Sequence, residues 1–374
     1  MRKALFWTSA GLIAYTHVGY PLALRAMAAL RGARPEPPPE PADLPSVSLI
    51  IAAFDEAEVI GRKIENALAL DYPRERLEIV VASDGSSDDT VALARKAGAD
   101  RVLDLPRGGK LAAQNAAVRG AEGQVLAFSD ANSWWEPDAL RHLVTALEDE
   151  RVGYACGEVV FTDTEGDNQE GVYWLYEMQV RQLESSLGGV TAGNGAIYAV
   201  RRGDYLFLEP GSSHDLAFPF RMAKVGLRSV FVSEARATER VVPSLEGEWR
   251  RKRRMMVGLW DIVIREGMLD PRGYPALFAF EVFSHRVLRY ASPFLHVVLA
   301  VATLGLLGRG RIYRLAALDQ AVLAAAAALA DCLPSAPTRL ARYYVLVTAS
   351  IAAGLWDRLR RGAPGTWDKA EGTR

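Results

Sequence analysis

Cysteine is nearly missing from this chain of 374 residues, which holds only Cys156 and Cys332. Two thiols in segments of different character supply neither a disulfide framework nor a metal-ligand spacing. They fit a main domain that faces a reducing cytosol. An excess of charge of either sign is absent too: 44 Lys and Arg against 45 Asp and Glu leave −1. Bulk charge therefore implies no nucleic-acid partner. No internal repeat is visible. Apolar residues, by contrast, make up 50% of the chain, and they concentrate at its two ends.

Residues 4–24, "ALFWTSAGLIAYTHVGYPLAL", carry no charge and are about one bilayer long. The stretch is long for a signal-peptide core, and the basic flank "RAMAALRGAR" follows without a clear cleavage site. It is read as an uncleaved N-terminal transmembrane helix within residues 1–30. "RPEPPPEPADLP" holds six prolines in twelve residues, so 31–45 is an extended linker. At the other end, 291–308 and 315–333 could each span a membrane, and 343–356 could be re-entrant. Two or three membrane helices are thus expected over 291–360, then a tail, 361–374. Residues 271–290, with "LFAFEVFSHRVLRY", read as an amphipathic segment on the membrane surface. The expected location is the inner (plasma) membrane, multi-pass, with the main domain cytoplasmic. In that topology Arg309, Arg311 and Arg314 face out, against the positive-inside rule.

Between these ends, 46–270 read as one α/β domain. "VSLIIAAF", "LEIVVASD", "RVLDL" and "QVLAFSD" are short strands. "EVIGRKIENALAL", "DDTVALARKAG" and "KLAAQNAAVRGA" between them have helical spacing. Such alternation predicts a mostly parallel central sheet covered by helices, with ligands at the carboxyl ends of its strands. Three strands end in acidic polar clusters: "AAFDE" (52–56), "SDGSSDD" (83–89) and "SDAN" (129–132). Carboxylates there repel bare phosphate. They suit a nucleoside, whose base and ribose groups donate hydrogen bonds, together with a metal ion that carries a diphosphate. One such cluster could be a helix cap, as Asp88 or Asp89 is expected to be; three along one sheet edge point to a site.

These motifs, in this order, resemble the inverting family 2 glycosyltransferases, whose nucleotide-sugar-binding domain has the GT-A fold. "AAFDE", "SDGSSDDT", "GKLAAQNAAVRGAEGQVLAFSDAN", "TAGNGAIYAVRR" and "SSHDLAFPFRMAKVGLRSVFVSEARATE" carry the resemblance. It implies that Ala53, Phe54, Glu56, Asp84, Lys110 and Asp130 bind the nucleotide-sugar, with uracil the commonest base. Asp130 and Asn132 would bind a divalent metal, Mn2+ or Mg2+. Asn132 stands where the family more often has Asp, and a neutral amide is a poorer ligand for a hard cation. Gly193 and Asn194 fall on the acceptor side.

Asp215 matches the family's general base, since an acceptor hydroxyl must lose its proton as the new bond forms. In "EWRRKRRMMVG" (248–258), Arg254 matches the Arg of a Gln-x-x-Arg-Trp motif, but Arg251 replaces its Gln and Met255 its Trp. Arg254 is read either as stabilising the departing diphosphate or as part of a polybasic stretch on anionic lipid. Trp249 is the candidate aromatic face for an acceptor sugar. The implied activity is transfer of a sugar from a UDP-sugar to a glycan or lipid-linked acceptor, in cell-surface polysaccharide synthesis. A polyprenyl-phosphate sugar transferase and a non-catalytic scaffold subunit of an export complex are the alternatives.

Overall fold

The computed structural model describes residues 1–32, 38–162, 171–209, 211–240 and 245–362. Residues 33–37 of the proline-rich linker and 363–374 of the tail lie outside the described residues. Eight strands form one sheet: β1 (Val47–Ala53), β2 (Leu77–Asp84), β3 (Arg101–Leu105), β4 (Val125–Asp130), β5 (Trp134–Trp135), β6 (Val152–Thr162), β7 (Ile197–Arg201) and β8 (Arg228–Arg240). The helices are α1 (Arg2–Ala14), α2 (Tyr20–Arg31), α3 (Ile60–Leu68), α4 (Thr90–Lys96), α5 (Lys110–Gly120), α6 (Ala139–Ala146), α7 (Gly171–Leu187), α8 (His214–Lys224), α9 (Leu245–Arg265), α10 (Ala276–Glu281), α11 (Leu288–Leu304), α12 (Arg311–Ala328) and α13 (Ala336–Arg361).

The sheet order is β3-β2-β1-β4-β7-β6-β8-β5. Its first four strands are parallel, as strand–helix alternation requires. Beyond β4 the pattern changes. β7 runs antiparallel to both β4 and β6, and β5 antiparallel to β8, while β6 and β8 are parallel. The sheet is therefore mixed, which corrects the mostly parallel expectation: regular alternation stops near residue 150, and β7 enters from the opposite edge.

All seven residues of β1 are buried, because helices cover both faces, so the strand reads as a continuous apolar run. Ile50, Val80, Leu126 and Phe128 pack with Leu111 and Ala117 of α5 and Phe218 of α8. Leu49, Ile51, Val81 and Ala127 pack with Ile64 of α3 and Leu143 of α6 on the other face. Ala52 pairs with Ala82 on one side and Asp130 on the other. β1, β2 and β4 thus end level, and the loops after them open at one edge.

Among the described residues, one helix is long and apolar enough to cross a membrane: Ala276–Leu304, formed by α10, a π-helical segment (Val282–Val287) and α11. This corrects two expectations. Residues 277–290 are no separate surface segment, since they continue into α11. An N-terminal span and two or three C-terminal spans are not found by this measure. α1 and α2 join through a π-helical turn (Tyr15–Gly19) that carries Tyr15, Thr16 and His17, and Tyr20 and Leu24 are buried against Val180 and Leu187 of α7. α12 holds Arg311, Arg314 and Asp319, and α13 is charged at both ends.

Candidate active site

At the carboxyl end of β1 the backbone turns sharply. Asp55 has φ 51°, a left-handed conformation that Asp tolerates better than most residues. Its carboxylate accepts from the Ser87 N–H at 2.7 Å, and its own N–H donates to Ser86 Oγ at 3.0 Å. Asp88 accepts from the N–H groups of Ala57 (3.1 Å) and Thr90 (3.0 Å). The first two acidic clusters are therefore tied to each other. Ala53 and Glu56 are buried at this junction.

Asp84 is only 1% exposed. Its Oδ1 accepts from the N–H groups of Gly108 (2.7 Å) and Gly109 (2.9 Å), and its Oδ2 from Gly109 (3.0 Å) and Arg107 Nη1 (2.7 Å). Those four bonds use the acceptor capacity of a carboxylate. This side chain, expected to bind the nucleotide-sugar, latches the 107–109 loop. Gly85, at φ +68°, fits beneath that loop because a Cβ would lie 2.8 Å from the Arg107 nitrogen. The Arg107 guanidinium lies over the Phe54 ring, 3.3 Å from its centroid. Asp84→Asn would place an amide among backbone donors. It should cost about 1–3 kcal/mol of stability and weaken nucleotide binding, as read by denaturant unfolding and UDP titration.

β4 ends in Asp130, and Asn132 follows in the turn. Two residues of α3 that sequence reasoning missed hold this turn from behind. Lys63 is fully buried and donates to the Ser133 carbonyl at 2.6 Å. Asn66 bonds both the carbonyl (2.8 Å) and the N–H (2.9 Å) of Trp135. The signal was available: Ile60, Lys63, Ile64 and Ala67 share the buried face of α3, and a lysine there needs a partner. Burial lowers the Lys63 ammonium to about 7, against the pull of Asp130 and Glu239. In the unfolded chain the group stays protonated to about 10.4. Between these values unfolding takes up a proton, so stability rises with pH and this gain is lost as pH falls through 7. The unfolding free energy should climb by about 1.4 kcal/mol per pH unit above neutrality, and Lys63→Met should remove that slope.

Lys110 begins α5 and pairs its ammonium with the Asp130 carboxylate, both side chains about a third exposed (29% and 32%). Burial would lower the Lys110 ammonium, but Asp130, then Asp215 and Glu239, hold it above its ordinary value. A Cβ on Gly195 would stand 4.0 Å from both Lys110 Nζ and the Asp215 carboxyl carbon. Asp130, Lys110 and Asp215 therefore face one another over a bare glycine. A cavity of about 80 Å³ lies here, lined by Lys110, Gln114, Gly195, Tyr198, Ser213 and Asp215.

The remaining residues expected on the acceptor side are tied into the fold around Asp215 or lie on α9. The Gly193 N–H donates to the Asp215 carbonyl at 2.6 Å, and a Cβ on Gly193 would collide with the Tyr154 hydroxyl. Asn194 is buried; its carbonyl accepts from Arg181 at 2.7 Å and its amide donates to the Gly157 carbonyl. Both hold the turn beside Asp215 from inside. His214 is boxed in by Phe128, Tyr198, Tyr205 and Phe218, with the two tyrosine hydroxyls on its ring nitrogens. Burial, with the Lys110 charge nearby, pushes its imidazole well down, so it packs as a neutral ring. Arg254 is half-buried on α9, and Trp249 of α9 lines a groove against α11, α12 and α13.

No group of three or more His, Cys, Asp or Glu among the described residues is arranged to hold a metal unaided. Asp130 and Asn132 offer two oxygens at one strand end. That set fits Mg2+ or Mn2+, which bind through one or two protein oxygens and take the rest from water and substrate phosphates. It does not fit a soft metal.

Residues 48–206 match the family described as Glycosyl transferase family 2. The chain is 26% identical over 253 residues to the beta-monoglucosyldiacylglycerol synthase of Trichormus variabilis, covering 60% of this chain and 53% of that one. It is 30% identical over 112 residues to UDP-Glc:alpha-D-GlcNAc-diphosphoundecaprenol beta-1,3-glucosyltransferase WfaP of Escherichia coli, covering 29% and 44%. The chain thus spans about half the length of the curated relatives it matches. Among solved structures, the mannosyltransferase PcManGT from Pyrobaculum calidifontis, in complex with GDP-Man and Mn2+, superposes with a TM-score of 0.72 at 25% identity, over 96% of this chain and 99% of that one. Residues 48–206 are a glycosyltransferase family 2 domain, set in a GT-A-like α/β fold with a mixed sheet.

Proposed function

We propose that this protein transfers a sugar from a nucleoside diphosphate sugar to a glycan hydroxyl, with inversion, in the synthesis of a cell-surface polysaccharide or lipid-linked glycan. One observation carries the reading: Asp130, Lys110 and Asp215, from three separate parts of the chain, meet at the carboxyl edge of the sheet. Asp215 takes the proton of the attacking hydroxyl, which enters opposite the leaving group. Lys110, released from Asp130, stands near the diphosphate. Asp84 shapes the 107–109 loop beside Phe54 for the nucleoside. Asp130 and Asn132 would hold a divalent metal, which when bound neutralises charge developing on the diphosphate.

The resemblance favours a uracil base, whereas the solved mannosyltransferase that covers nearly the whole chain holds GDP-Man. The donor is therefore named only as a nucleoside diphosphate sugar. Val297, Val301, Leu304, Leu315, Leu318 and Val322 are each more than half exposed, an apolar belt that suits a membrane. We place the 276–304 helix in the inner membrane and the family 2 domain in the cytoplasm. Membranes carrying the protein, supplied with UDP- and GDP-sugars, should transfer label from one of them to an extractable product. Nucleotide binding without transfer from any sugar of the panel would leave the enzyme reading without support.

A further inference from the structure

The 276–304 helix changes character along its length. Val297, Val301 and Leu304 of its second half are exposed. In its first half Glu281, Ser284, His285 and Arg286 are buried. Ionisable groups on a helix that meets a bilayer are costly unless they pair inside the protein. His285 and Arg286 do pair, and their partners belong to the family 2 domain. The transfer chemistry described above uses neither of them.

Glu184 of α7 is the centre of this cluster and is fully buried, as is Thr191. Glu184 Oε1 accepts from the Tyr20 hydroxyl of α2 at 2.6 Å and from His285 Nδ1 at 2.7 Å. Its Oε2 accepts from the Thr191 N–H at 3.2 Å and the Thr191 hydroxyl at 3.1 Å. The same hydroxyl accepts from Arg286 Nε at 2.8 Å. The acceptor capacity of the carboxylate is thereby used, and the threonine hydroxyl both donates and accepts. Burial would raise the Glu184 carboxyl, but His285 and Arg286 hold it down to about 2, so it is ionised. Thr191 also opens the turn that reaches Asp215. Two residues on, the Gly193 N–H donates to the Asp215 carbonyl at 2.6 Å, and Arg181 donates to Asn194 at 2.7 Å. A path of polar contacts thus runs from the 276–304 helix, through Thr191, to the backbone of Asp215.

We propose that Glu184, Thr191, His285 and Arg286 are positioning residues for the base: they fasten the 191–194 turn, and through it Asp215, to the helix that enters the membrane. The proposal rests on the transferase reading and adds how its base is held. Thr191 is the pivot, because it alone bonds both Glu184 and Arg286 and lies in the turn itself. A misplacement of about 1 Å at a reacting group costs up to about 10²-fold in rate. The residues assigned to the nucleotide lie elsewhere, at the ends of β1, β2 and β4 and on α5. Loosening Thr191 therefore slows transfer without weakening nucleotide binding, and the seating of the 276–304 helix sets the position of the base.

A double-mutant cycle with the base tests this on the full chain in membranes. Single-turnover transfer from UDP- and GDP-sugars is measured beside titration with UDP and GDP. Thr191→Val should slow transfer by about tenfold to a hundredfold and leave the nucleotide Kd within about twofold. Thr191→Ser, which keeps the hydroxyl, should restore most of the rate. In an Asp215→Asn background, Thr191→Val should cost about twofold at most, because residues that act as a unit are not additive. Arg286→Lys keeps the buried charge but moves the donor away from Thr191, and it should give the same cycle even where Thr191→Val does not fold. Equal losses with and without Asp215 would make the cluster purely structural and overturn the proposal. So would full activity of Thr191→Val and Arg286→Lys. Neither result touches the transferase reading. That reading falls if wild type binds UDP or GDP yet transfers from no sugar, and the proposal falls with it.

Discussion

Asp215→Asn should leave nucleotide binding intact and slow sugar transfer by about 10²–10⁴-fold, the usual contribution of a positioned general base. That corresponds to about 3–5 kcal/mol in the barrier. The substitution is a clean one here. Asp215 is in the first turn of α8, and its backbone is fixed by the Gly193 N–H. Its side chain faces bare space over Gly195, so Asn keeps shape and position but cannot take a proton. The outcome also decides between acceptor chemistries. A sugar hydroxyl is a poor nucleophile until it begins to lose its proton. A lipid phosphate is already ionised at neutral pH and needs no base. Near-normal transfer by a folded Asp215→Asn protein would therefore move the reading to a polyprenyl-phosphate sugar transferase. Single-turnover transfer alongside nucleotide titration measures both quantities.

The parallel half of the sheet was legible because its strands carry local signals. β1, β2 and β4 are short apolar runs that end in acids, and the helices between them have a clear period. The mixed half was not. The placement of β7 between β4 and β6 depends on long-range pairing that no local pattern announces. At the site, the sequence marks polar strand ends but not the partners of each side chain. Asp84 reads as a ligand, because an acid at a strand end is polar and conspicuous; only the fold shows Gly108 and Gly109 donating to it. Lys63 and Asn66 hide in a helix with an ordinary amphipathic pattern. His214 stands beside Asp215 in sequence, yet three walls of its aromatic box come from β4, β7 and the segment after β7, and only Phe218 from its own helix. At the ends of the chain, composition was a coarser guide. Apolar stretches within 1–30 and 311–361 form helices, but their aromatic, polar and charged residues leave 276–304 as the one helix among the described residues that is apolar and long enough to span.

Asp130→Ala should abolish metal-stimulated transfer, by at least about 10³-fold, while the domain remains folded. The expected size follows from charge. A divalent cation on the diphosphate supplies several kcal/mol of stabilisation to the departing group, and each 1.36 kcal/mol is tenfold in rate. Folding should survive because the carboxylate is about a third exposed at the end of β4, where Lys63 and Asn66 grip the turn through backbone groups that the substitution leaves in place. The variant should also change how nucleotide binds. In the protein as it stands, Lys110 is committed to Asp130, so bound metal and Lys110 compete for one carboxylate. Without Asp130 the ammonium is left beside Asp215 and the open cleft, and it can meet the diphosphate directly. Metal-free binding of UDP or GDP should then hold or improve, while the increment that Mn2+ adds disappears. Asn132→Asp provides the opposite arm: a second carboxylate at the same strand end should tighten Mn2+ binding, because an anionic oxygen is a better ligand for a hard cation than an amide. Calorimetric titration of nucleotide with and without Mn2+, on wild type and both variants, tests these statements together. A Mn2+ increment that survives in Asp130→Ala would place the metal away from the end of β4, and Asp130 would remain only as the partner of Lys110.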